Sequence, residues 1–241
     1  MVTAMLLAHL VGDFILQTDR IAQWKSKAAR GVLAHGLVVT LVTLVAAAAT
    51  DITWLNWALF ISGTHVIIDL GQFYLMQSGI IPTAGSKALG RFLIDQLLHF
   101  AVIGLALVSS GMIHIPTTMP AMMTSLQSGW IVVLGYGFIT MPAWILIEFT
   151  VYGLVNGSAP NFSEATNKYV GILERLLITT FVWWGSFVLI PLVALPRVYF
   201  ERAKVGDSGR STLYVAELLT SVLLAVVVGL ALRFFYPITG N

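Results

Sequence analysis

Three short patterns in this chain combine residues that can do chemistry: His9-Leu-Val-Gly-Asp13, His65-Val-Ile-Ile-Asp69 and Asp95-Gln-Leu-Leu-His99. Each sets an imidazole and a carboxylate four residues apart inside an apolar run. On an α-helix that spacing puts both side chains on one face, one turn apart, so each helix offers an edge of two ligands. A lone His35 sits in a further apolar run. The donors are therefore His9, His35, His65, His99, Asp13, Asp69 and Asp95. The chain has no cysteine, so thiolate metal sites, disulfides and a thiol nucleophile are excluded. Nitrogen and oxygen donors suit Zn²⁺ or Mn²⁺, with Fe²⁺ also admitted. The set is large enough for one metal with supporting carboxylates, or for two metals sharing a bridging Asp.

The plainer reading is that each His–Asp pair neutralises itself within its own helix, because buried polar groups need partners. Three such pairs and His35 at similar membrane depth favour a shared metal centre over three separate couples. A proton relay through the same groups is the other functional reading.

A metal held this way predicts a membrane-embedded, metal-dependent hydrolase acting on a lipid-like or phosphoester substrate from the cytoplasmic side. A bound metal acidifies a water and polarises a carbonyl or phosphoryl group. His9, His65, His99 and Asp69 are expected closest to the metal, and Asp13 or Asp95 serves as bridging ligand or general base. Arg175 would hold the substrate's anionic group by bidentate hydrogen bonds. Its structural alternative is a charge pair with Glu174 or Glu217, stitching the C-terminal helices together. Gln17, Gln72 and Gln96 lie near the His–Asp pairs as supporting donors or interhelical hydrogen-bonding groups. A divalent-metal transporter would use the same ligands, although the outer halves of these helices are almost wholly apolar. A proton-coupled carrier or a subunit of a membrane complex is a third class.

The elements that must position these residues are read from composition. Of 241 residues, 58% are hydrophobic and 10% charged, with a mean hydropathy of +0.88. A soluble domain carries roughly a quarter charged residues. Apolar runs at 1–18, 31–50, 52–77, 88–110, 128–157, 169–200 and 211–236 approach or exceed the roughly 20 residues that cross a bilayer core. The expected fold is an all-α integral membrane protein, one transmembrane domain over 1–241, with polar metal-site helices in 1–110 and C-terminal helices in 128–236. The first run lacks a basic leading region and carries His9 and Asp13, so it is read as a retained helix and not as a signal peptide.

Basic residues collect on the cytoplasmic side of bacterial inner-membrane proteins. If 171–200 forms a short helical hairpin turning near Gly185, every Lys and Arg except Arg233 falls on one side, which gives eight segments. Without that hairpin the count is seven. The stretch 111–127, with its methionines and His114, is expected at the outer interface. The formal charge of +2 is too small to suggest nucleic acid as a partner. Membrane lipid, a lipid-like substrate or a metal ion are the expected partners, and a homo-oligomer is compatible with the sequence.

The run His9-Leu-Val-Gly-Asp13-Phe-Ile-Leu-Gln17, the basic loop after it, the lone His35, the HxxxD helix of His65 and Asp69, and the DQxxH helix of Asp95, Gln96 and His99 resemble an uncharacterised family of bacterial multi-spanning membrane proteins known as a domain of unknown function. The later half is similar in Gly171-Ile-Leu-Glu174-Arg175 and in the last helix with Glu217. It departs at Val193-Ala-Leu-Pro196-Arg197, where a small-residue stretch with a lysine is expected. The resemblance implies a helical membrane fold and assigns no activity. The His/Asp helix motifs also resemble, more faintly, membrane-bound metal-dependent hydrolases, and the HxxxD helices look like those of cation-diffusion zinc transporters.

Overall fold

A computed structural model describes residues 1–81, 85–113, 129–158, 160, 162, 168–200 and 208–238. Every regular element among the described residues is helical. The chain divides into two compact units, Met1–Thr83 with Gly90–Thr117, and Ala84–Leu89 with Thr118–Asn241. His114 and the rest of the methionine-rich stretch from 114 to 127 lie outside the described residues.

In the first unit, α1 (Val2–Leu10) runs into a π-helical turn, Val11–Ile15, where the Leu16 N–H donates to the Val11 carbonyl at 2.8 Å. A short α2 (Asp19–Lys27) follows, and its sequence explains both ends. The Thr18 hydroxyl accepts from the Ile21 N–H, Asp19 sits in the first turn, and Lys25 and Lys27 sit in the last, each complementing the helix dipole. One extended residue, Ala28, separates α2 from α3 (Ala29–Thr50). Asp51 accepts from the Thr53 N–H at 2.9 Å and starts a single 3-10 turn, Ile52–Trp54, before α4 (Leu55–Gln77). Helix α5 (Ser86–Ser109) completes the unit's helices.

Close approach of these helices depends on small residues. A Cβ at Gly12 would lie 3.2 Å from Val39 Cα, and one at Gly36 would lie 2.4 Å from a Val66 methyl. Each glycine adjoins a predicted ligand in sequence, Gly12 beside Asp13 and Gly36 beside His35. Removing side chains there draws α1, α3 and α4 together at the level of the polar groups. Trp54 is buried with Met5, Ala58, Ile61 and Ile103 in an apolar core.

In the second unit, α6 (Trp130–Ile139) and α7 (Met141–Val151) are two halves of one apolar run, bent by 45° at Thr140. Pro142, in the first turn of α7, lacks an N–H and favours the break. A π turn, Tyr152–Asn156, ends that segment. Helix α8 (Lys168–Trp184) turns at Gly185, whose φ of +81° suits glycine. The chain then runs back as α9 (Leu189–Phe200), which brings Arg197 to within 3.0 Å of Glu174. Helix α10 (Ser208–Phe235) packs on α8 so closely that a Cβ at Gly229 would lie 2.6 Å from Val182 Cβ.

Among the described residues, four helices are long and apolar enough to cross a membrane: Ala29–Thr50, Ile52–Gln77, Ser86–Ser109 and Ser211–Phe235. The bent pair Trp130–Ile139 and Met141–Asn156 makes a fifth if it is one span. Their surfaces fit that environment, since Leu33, Leu37, Leu41 and Val45 form an exposed stripe on α3, and Leu219, Leu223 and Val227 another on α10. The expected seven or eight segments are not reached by length. The remaining apolar helices Val2–Ile15 and Leu189–Tyr199 extend about 21 Å and about 17 Å at 1.5 Å per residue, short of a roughly 30 Å hydrocarbon core.

Candidate metal centre

The buried stripes of α1, α3, α4 and α5 carry the predicted ligands to one place. His9, Asp13, His35, His65, Asp69 and His99 are all buried. His35 Nε2 lies 2.8 Å from Asp13 Oδ1 and 3.4 Å from His65 Nε2. His65 Nε2 is 3.7 Å from Asp13 Oδ1 and 3.4 Å from Asp69 Oδ2, and His35 Nε2 is 3.7 Å from the same Asp69 oxygen. Among the described residues, two groups of donors have their ligand atoms within 4.8 Å of one another: Asp13, His35 and His65, and His65, Asp69 and His99. His65 belongs to both.

These separations pass a simple test for a metal. Ligands at about 2.0–2.2 Å in a tetrahedron are roughly 3.3–3.6 Å apart, close to the 2.8–3.7 Å between these nitrogen and oxygen atoms. Protons can pair His35 Nε2 with Asp13 at 2.8 Å and His65 Nε2 with Asp69 at 3.4 Å, but they leave the two imidazoles opposed. His35 Nε2 and His65 Nε2 face each other at 3.4 Å, and at most one of them can donate to the other. A cation between them would use both lone pairs.

His99 is oriented as a ligand. Its Nδ1 lies 2.8 Å from the Asp95 carbonyl oxygen, so it donates there. That bond fixes the tautomer and leaves the lone pair on Nε2, a buried atom with no hydrogen-bond partner. Asp69 Oδ1 and Asp95 Oδ1 likewise lack hydrogen-bond partners. A cavity of about 10 Å³ adjoins His9, His65 and His99 and is otherwise lined by Thr43 and apolar side chains such as Met5, Val39 and Ile61.

His9 and Asp95 belong to the cluster's margin. Gln96 joins them, its Nε2 donating to Asp13 Oδ2 at 3.1 Å and to Asp95 Oδ2 at 3.2 Å, while its Oε1 lies 3.2 Å from His9 Nε2. The supporting-donor reading of Gln96 therefore has geometry behind it. His9 also stacks on His99, with ring centroids 5.5 Å apart.

Lys25 is the member that sequence reasoning missed. Its Nζ lies 2.7 Å from Asp69 Oδ2; the Lys25 side chain is 21% exposed and that of Asp69 0%. Burial disfavours the ammonium, but Asp69 and Asp13 outweigh it and raise the pKa above the ordinary lysine value. In the sequence Lys25 belongs to a basic loop. The helical period of α2, which groups Lys25 with Ile21 and Ala22, is the signal that separates it from Arg20 and Lys27.

Arg175 lies in the second unit, buried, and its donors are committed there. Nε donates to the Ile139 carbonyl at 3.0 Å, one terminal nitrogen to the Thr140 carbonyl at 3.3 Å, and the other to the Ser221 hydroxyl at 3.3 Å. The guanidinium thus caps carbonyls at the α6–α7 break. Glu174 and Glu217, the partners considered for Arg175, are both bound by Arg197.

A family model described as a protein of unknown function (DUF3307) matches residues 1–128, and the chain belongs to that family. The matched segment contains every His and Asp of the cluster, Gln96 and Lys25. No curated protein and no solved structure matches the chain.

Proposed function

Within this family of unknown function, we propose that the first unit is a membrane-embedded divalent-metal centre serving a metal-dependent hydrolase, with a lipid-like or phosphoester substrate reached from the side that carries α2. Its likeness to known hydrolases rests on the residues alone. The observation that carries the reading is the pair of buried ligand groups sharing His65, beside a cavity with room for a single water molecule. Asp13, His35, His65, Asp69 and His99 would hold the metal, with zinc or manganese best suited to nitrogen and oxygen donors in this ratio. A metal there supplies Lewis-acid polarisation and acidifies water.

The chain's own residues then do the rest. Met5, Val39, Ile61, Val102 and Ile103 give the cavity an apolar wall, and a low-dielectric wall strengthens electrostatic interactions beside it. Asp95, at the margin and bound through Gln96, would take a proton, and Asp13 would stay with His35. With Arg175 committed to the α6–α7 break, the centre's own cation on the α2 side is Lys25. In this reading the two short apolar helices bring the five spans to seven membrane segments, and Lys168–Trp184 makes an eighth, in a bacterial inner membrane with the basic loops in the cytoplasm.

Divalent-metal transport is the second reading, favoured by the Lys25–Asp69 pair. A site that releases its ion needs a charge to replace it, and Lys25 is one. The test begins with metal content. Detergent-purified protein is measured by mass spectrometry beside His65→Ala and Asp69→Ala, before and after mild chelation. About one or two equivalents that resist chelation and vanish in both variants support the hydrolase, and phosphoester and lipid substrates are then screened. Metal that washes out easily, with His65-dependent flux in proteoliposomes, selects transport. Absence of metal under every condition refutes both.

A further inference from the structure

We infer that Lys25 is a tethered cation that holds the carboxylate side of the centre whenever a divalent ion does not, so that metal entry and withdrawal of Lys25 are one coupled event. The inference rests on the metal-centre reading. Its physical basis is the sharing of one atom. Asp69 Oδ2 lies 2.7 Å from Lys25 Nζ, 3.4 Å from His65 Nε2 and 3.7 Å from His35 Nε2. It is at once the ammonium's partner and a corner of the nitrogen and oxygen cage.

A divalent ion bound through that oxygen would stand beside a like-charged ammonium in a buried, weakly screened place. One of the two must leave. Asp69 cannot, because its side chain is fully buried on α4. Lys25 can. It reaches inward on a flexible four-carbon stem from α2, a helix with no fully buried residue that connects to α3 through the single extended residue Ala28. Its side chain is already in part exposed, so a short outward swing returns the ammonium to water. Lys27, two residues on, is exposed and would not respond.

The coupling has a direction. A tethered ammonium keeps Asp69 paired in the metal-free state, avoiding an uncompensated buried carboxylate. It also weakens metal binding by the free energy of that pairing, and it delivers a change at the centre to α2 on the surface. The same ion pair that stabilises the empty centre makes its ion exchangeable.

The experiment uses the full chain in detergent with Co²⁺ or Mn²⁺ alone as the probe. Affinity is measured by calorimetry for the wild type and for Lys25→Met. Acetylation of Lys25 and Lys27 in the wild type is followed by mass spectrometry with and without metal. The expected results are about tenfold or tighter binding by Lys25→Met, within the range of ordinary coupling energies, and a severalfold rise in Lys25 labelling on metal saturation with Lys27 unchanged. Equal affinities with Lys25 shielded in both states overturn the inference and leave the metal centre standing. Binding by neither protein overturns the centre and the inference together. Should Lys25→Met fail to fold, wild-type labelling decides: metal that binds without exposing Lys25 refutes the coupling.

Discussion

Gly31 is the position at which the placement of Lys25 can be tested without touching a charge. A Cβ there would lie 2.3 Å from the carbonyl carbon of Trp24, 2.4 Å from its oxygen and 2.5 Å from the amide nitrogen of Lys25. All three are backbone atoms of α2, so no rotamer change relieves the contact. Ordinary contact starts at 3.4 Å, and Gly31→Ala must therefore push α2 away from α3 by a little over 1 Å. The Lys25–Asp69 pair, 2.7 Å in the wild type, opens by a similar amount and reaches the edge of the range in which an ion pair holds, about 4 Å. Overpacking of this kind costs about 1–3 kcal/mol, which for a chain of this size lowers the midpoint of thermal unfolding by about 2–12 °C. Far-UV circular dichroism in detergent reads the midpoint, and acetylation of Lys25 in metal-free protein reads the displacement. Gly63→Ala is the control, since nothing lies within 4 Å of a Cβ there. It should be neutral or stabilising by about 0.4–1 kcal/mol through the unfolded state. If Gly31→Ala matches Gly63→Ala in both midpoint and labelling, the close packing of α2 on α3 is refuted.

Gly36→Ala places a methyl 2.4 Å from a Val66 methyl, and valine has little rotamer freedom on a helix with which to yield. The two helices must separate where His35 and His65 meet, and Co²⁺ binding measured by calorimetry should weaken about 10–100-fold, as when ligand-orienting contacts are lost; unchanged affinity would show that this approach does not set the ligand spacing. Arg175→Met leaves the Ile139 carbonyl and the Ser221 hydroxyl without this donor, while the Thr140 carbonyl keeps the Trp144 N–H at 3.2 Å, at about 1–3 kcal/mol for each group left unpaired that water does not reach. The variant should unfold at distinctly lower temperature while retaining its metal, because every predicted ligand lies in the other unit. Full stability with lost turnover would instead return Arg175 to substrate binding.

The donors of the centre were legible from the sequence because period and polarity are local properties. An imidazole and a carboxylate four apart in an apolar run stand on one helical face whatever surrounds the helix, and the cost of burying them alone makes a shared cluster the expected outcome. Helical class followed from composition on the same terms. Segment count was less legible, because hydropathy counts residues and does not see where a helix stops. Thr140 breaks one apolar run into α6 and α7, and among the described residues Val2–Ile15 and Leu189–Tyr199 are shorter than the helices that pass as spans by length.

What the tertiary structure decided is which polar group meets which. Lys25 and Lys27 are equivalent in a charge count, and only the packing of α2 against α3 at Gly31 aims Lys25 at Asp69. Arg175 and Arg197 both lie within reach of acidic residues in the pattern. The α6–α7 break claims Arg175 by turning the Ile139 and Thr140 carbonyls towards it, and the reversal at Gly185 carries Arg197 back to Glu174 and Glu217. His9 and Asp95 look equal to their partners in the motifs, yet Gln96 holds them at the margin while His35, alone in its run, enters the middle. A one-dimensional pattern specifies the face a side chain occupies. Its partner depends on how closely and at what rotation helices approach, and here glycines contributed by separate helices set those distances.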